Sequence, residues 1–108
     1  MKKDEFRRFN TTTNTDERGL TTVVYYKTAI VKFDKKTIVL NTGGWWTVTT
    51  QSRMNAVSRH YDLGYRVHRV GDDWYVAYQG HSHAYKTTQQ ATNLIQINRE
   101  TGEVTPGE

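Results

Sequence analysis

Three histidines, His68, His81 and His83, are the residues whose type and spacing come nearest to a metal site. Imidazoles two apart on a strand point the same way and can chelate, with His68 supplied from a neighbouring hairpin. The chain has no cysteine, and no carboxylate is placed to complete such a set, so neither a metal nor a cofactor is expected. Nucleophilic catalysis needs a nucleophile held by a base and an orienter. The few serines (Ser52, Ser58, Ser82) have no such setting, and Asp72-Asp73 reads as a turn pair. The reading is therefore not an enzyme.

Aromatic rings interleaved with cations are the second kind of chemistry present. Tyr65, Arg66, His68, Arg69, Trp74, Tyr75 and Tyr78 share one predicted hairpin. Such a mixture can stack bases while holding phosphates, and an exposed ring among arginines is equally a protein hot spot. In a chain short of Leu and Ile, the same rings can simply be core, since each buries roughly 150–250 Å². The net charge is +4, with an excess of positive charge in residues 19–70 and of negative charge in 71–108. A basic middle attracts nucleic acid or an acidic protein surface. The residues assigned to that surface are Lys32, Lys35, Lys36 and Arg53, then Arg59, Arg66 and Arg69, with Trp46 as the aromatic. Trp45 is assigned to the core.

The elements that must position these groups follow from the pattern. Leu20 to Phe33 is dense in β-branched and aromatic residues, too long for one strand, and expected to break near Lys27-Thr28. Asp34-Lys35-Lys36 turns it back into Thr37–Asn41. Gly43-Gly44 then permits the chain to leave the sheet, and no phosphate-loop glycine spacing is present. Thr49 or Thr50 is the expected N-cap of a helix to Asp62 or Leu63, with Gly64 closing it. Thr50, Met54, Val57 and Tyr61 form its core stripe. After the hairpin at 65–79, Ala84–Thr87 and Asn93–Asn98 are further candidate strands. The expectation is an α+β domain: a mostly antiparallel sheet of about five strands with one central helix packed on it.

Residues 19–98 are read as the single domain, 1–18 as a flexible arm in which Phe6 and Phe9 could dock, and 99–108 as a flexible acidic tail. No apolar run approaches the roughly 20 residues of a membrane helix, and the basic N-terminus lacks the apolar stretch of a secretory signal. An unpaired sheet edge leaves a homodimer possible.

Ile38 to Trp45, followed by Thr47-Val48-Thr49-Thr50 and Arg53-Met54-Asn55, resembles a motif of small proteins encoded by tailed bacteriophages. There a strand ends in Asn/Ser-Gly-Gly-Trp, a helix starts on Thr-Thr, and an Arg-hydrophobic-Asn step follows. The resemblance spans residues 28–80. It implies a phage or prophage origin and work in the cytoplasm of the bacterial host, and it carries over no catalytic or binding residue. Small phage domains of this type look more like nucleic-acid binders or inhibitors of host proteins than enzymes. The functional expectation is thus a phage accessory protein binding nucleic acid through its basic, aromatic-containing surface, the alternative being an inhibitor or modulator of a host protein.

Overall fold

Threonine, valine and tyrosine crowd the first third of the chain, and their branched or ring side chains suit a half-buried pleated surface. A computed structural model describes residues 10–88 and 92–107, so Phe6 and Phe9 lie outside the described residues. The elements run β1 (Thr11–Thr15), β2 (Thr21–Tyr25), β3 (Thr28–Phe33), β4 (Thr37–Asn41), α1 (Val48–Tyr61), β5 (Tyr65–Val70), β6 (Asp73–Tyr78), β7 (His81–Lys86), β8 (Leu94–Asn98) and β9 (Val104–Pro106).

The class is α+β with one helix among the described residues, but the expected single sheet of about five strands is corrected to nine strands in two antiparallel sheets. One sheet has six strands in the order β1-β2-β3-β4-β8-β9, the other three in the order β5-β6-β7. The physical reason is the return of β8. It leaves the second sheet and pairs along β4, setting Ile97 opposite Ile38 and Ile95 opposite Leu40. All four are buried, so the return gives the first sheet the apolar row it lacked. The long run at 20–33 does break, at Tyr26 and Lys27, where Tyr26 takes a φ of 57°.

Two strands lie beyond the expected 19–98 boundaries. β1 pairs with β2 from Thr11↔Tyr25 to Thr15↔Thr21, through a turn in which Asp16 Oδ1 accepts the amides of Arg18 and Leu20. β9 pairs with β8, closing the first sheet on its other side. Threonine-rich β1 has little to bury, yet pairing with β2 satisfies those of its backbone groups that face the already ordered strand.

A bulge helps to fill the core in each sheet. Opposite Val23 and Val24 the register slips past Ile30, and Ile30 and Val31 are both buried. Opposite Trp74 and Tyr75 it slips past Tyr85, also buried. An extra residue in one strand lets two neighbouring side chains turn inward. One core joins both sheets and the helix, with Met54, Val57, Val67, Trp74 and Val76 among its members.

The helix starts earlier than expected. Thr47 is the N-cap, with backbone in the extended region and Oγ1 accepting the Thr50 amide at 3.2 Å. Thr50 cannot serve, because it is fully buried against the core. The helix closes on Asp62 in the left-handed region (φ 56°), two residues before Gly64. Met54 and Val57 are buried as the stripe requires, and Tyr61 packs on Phe33 with ring centroids 4.9 Å apart.

Candidate binding groove

Two loops meet at one end of the six-stranded sheet. The β2–β3 turn is held by the Tyr26 amide donating to the Asn10 carbonyl at 2.8 Å. The loop from β4 into α1 is folded by its own side chains: Asn41 Oδ1 accepts the Gly43 amide at 2.8 Å, and Thr42 Oγ1 accepts that of Gly44 at 3.3 Å. The Trp45 amide then donates to the Thr42 carbonyl at 3.0 Å. Gly43 has a φ of 62°, and a Cβ there would sit 2.8 Å from Thr28 Oγ1. Only glycine lets this loop lie so close to the start of β3.

Between the loops runs a groove of about 630 Å³, lined by Tyr25, Tyr26, Lys27, Thr28, Trp45, Thr47, Thr49 and Thr50. Tyr26 and Trp45 are 64% and 62% exposed, and Val48, in the first helical turn beside it, is 65% exposed. Tyr25 is held from behind by the Arg53 guanidinium, 4.4 Å from its ring centroid.

The two tryptophans exchange the roles expected of them. Trp45, assigned to the core, stands at the groove. Trp46, assigned to the binding surface, is half-buried and packs edge-on against Trp74 and Tyr85 at 5.2 and 5.0 Å, with the Lys86 ammonium 5.8 Å from its ring.

The assigned cations stand on several different elements. Lys32 is exposed on the outer face of the six-stranded sheet, in register with Thr22 and Val39. Lys35 and Lys36 sit in the β3–β4 turn beside Arg99, whose Nη1 donates to the Asp34 carbonyl and whose amide donates to that of Lys36. Arg59 is exposed in the last turn of α1. Arg66 faces out from the three-stranded sheet, across from Ala77. Arg69 leans over Trp74 at 5.7 Å. Arg53 is half-buried, its Nε donating to Thr11 Oγ1 at 2.9 Å. Lys32 and Arg66 thus stand on different sheets.

Sequence reasoning missed Tyr26, Lys27 and Trp45 as neighbours. The expected break near Lys27-Thr28 places a turn here, but nothing in the residue order shows that Tyr26 turns left-handed or that the glycine loop between β4 and α1 lies beside it. Adjacent Gly-Gly-Trp-Trp was the available signal, and it does not say which indole faces water.

Electrostatics in the rest of the molecule are structural. Asp34 lies below the usual carboxylate range because its Oδ1 accepts the amides of Lys36 and Thr37. Burial pushes the Tyr65 and Tyr85 phenols upward. The His68 ring stacks on Tyr75 with Nε2 3.2 Å from Ser82 Oγ, and the His81 and His83 rings are 6.5 Å apart.

Fold and groove together define a small two-sheet α+β domain with an open aromatic cleft. The chain matches the family model described as Kyanoviridae Gp96 protein over residues 1–100, and it belongs to that family of phage proteins. No curated protein and no solved structure matches it. No helix among the described residues is long and apolar enough to cross a membrane.

Proposed function

We propose that this phage protein is a non-catalytic accessory domain that modulates a host protein, gripping an exposed segment of it in the Tyr26–Trp45 groove. One observation carries the reading: two large rings, each more than three-fifths exposed, flank a single cleft whose remaining walls are threonine side chains, Tyr25 and Lys27. Isolated exposed apolar residues are ordinary, but paired aromatic rings on one concavity suit a hot spot. The matching ligand is an aliphatic or aromatic side chain seated between the rings, with a carboxylate near Lys27. The exposed Thr49 hydroxyl can meet the segment's backbone groups. A nucleic-acid strand is less well matched, since phosphate tracking needs several cations along one path and Lys27 alone lines the groove.

The test is retention of host-lysate proteins on the immobilised full chain, compared with Trp45→Ala and Tyr26→Ala, alongside single-stranded DNA and RNA over a salt series. A specific protein should be retained and be lost in both variants, each truncation weakening binding by about 30-fold. Oligonucleotide retention falling steeply with salt and abolished by the same variants overturns the proposal in favour of nucleic acid. Protein retention unaffected by either substitution overturns the groove as its site.

A further inference from the structure

The sheets treat their edges unequally. β5 is sealed by the helix: the Asn55 carboxamide donates to the Val67 carbonyl at 2.8 Å and accepts the Val67 amide at 2.7 Å, while Ser58 Oγ donates to the Tyr65 carbonyl. β9 is three residues long and ends on Pro106. β7 carries the bulge at Tyr85 and ends on Lys86. These are the usual devices that stop sheets from joining edge to edge. β1, Thr-Thr-Thr-Asn-Thr, has none of them, and no strand of the described residues pairs with its far side.

Its pairing shows which groups face outward. Bonds from the Tyr26 amide to Asn10 and from the Asp16 amide to Leu20 place the even-numbered residues of β1 in the set bonded to β2. In an antiparallel pair the alternate residues then direct N–H and C=O the other way, which are Thr11, Thr13 and Thr15 here. At the same residue, Thr13 Oγ1 is buried within the protomer and has no hydrogen-bond partner. A buried hydroxyl without a partner is uncommon and costly.

We infer that a second copy of this chain pairs with β1, antiparallel and about a two-fold axis at Thr13, joining the six-stranded sheets of two protomers. The axis sets the two Thr13 residues opposite one another, so their backbones exchange both hydrogen bonds. It sets Thr12 opposite Asn14 of the other copy. β1 contains no charge, so self-pairing brings no like charges together. A five-residue interface is small, which places the assembly among weak, concentration-dependent dimers. The inference is independent of the groove, which uses no residue of β1.

Sedimentation of the full chain from low micromolar to high micromolar concentration tests it. The apparent mass should rise towards twice the monomer. Thr12 and Asn14 are exposed, so changes there leave the monomer fold in place. Thr12→Lys with Asn14→Lys puts lysines opposite lysines and should weaken association by about tenfold or more. Thr12→Lys with Asn14→Glu pairs opposite charges across the same axis and should restore it. A chain that stays monomeric throughout overturns the inference. So does a dimer that the double-lysine variant leaves intact, since its interface then lies elsewhere.

Discussion

Asn55 places both ends of its carboxamide on one residue, the backbone of Val67, at 2.7 and 2.8 Å. A side chain on the helix thereby imitates a neighbouring strand and closes the edge of the three-stranded sheet. Gln51 Nε2 adds a third contact, to the same carbonyl, at 3.2 Å. Asn55→Ala leaves the Val67 amide without its acceptor and should cost about 2 kcal/mol in urea unfolding. Asn55→Asp keeps the acceptor but faces the carbonyl with a carboxylate, so it should destabilise the protein as well.

The two adjacent tryptophans should separate cleanly in mutagenesis. Trp46→Ala removes a ring wedged against Trp74 and Tyr85 and should cost about 3 kcal/mol. Trp45→Ala, at an exposed position, should stay within about 0.5 kcal/mol. Iodide quenching offers a check on the intact fold, because Trp45→Phe should remove most of the readily quenched emission.

Arg53 links the helix to the first sheet. Its guanidinium ties α1 to Thr11 of β1 and covers Tyr25 of β2. Arg53→Met should lower stability by about 1–2 kcal/mol. The loss should be local, read as faster amide exchange at Thr12 and Asn14. Unchanged exchange there would show that β1 is held by other contacts.

High pH should unfold the protein through its tyrosines. Tyr65 and Tyr85 are raised above 10.0, chiefly by burial, so the folded chain keeps these protons where the unfolded chain releases them. Stability is therefore full below pH 10.0 and falls as pH rises beyond it. Tyr65 also donates to the Met54 carbonyl and Tyr85 to that of Asn93, so each Tyr→Phe change should cost about 1 kcal/mol at neutral pH. The double variant should nonetheless show a flatter alkaline decline, measured by urea unfolding at successive pH values.

Local chemistry in the sequence determined a good deal of this protein. Branched and aromatic runs forced strands, the 50-54-57-61 stripe fixed the helix face, and the break in the run at 20–33 followed from its length. Gly43 was legible as a point where the chain leaves the sheet. Sheet membership was not legible, because β8 joins β4 across more than fifty intervening residues and an apolar strand fits any edge that needs one. Nor was the partition of rings and cations, since Trp45 and Trp46 are alike in sequence and only the packing of Trp74 and Tyr85 selects Trp46 for the interior. The groove belongs wholly to tertiary structure: a left-handed tyrosine in the β2–β3 turn and a glycine loop between β4 and α1 make a cleft only once the six-stranded sheet has brought β2, β3 and β4 side by side.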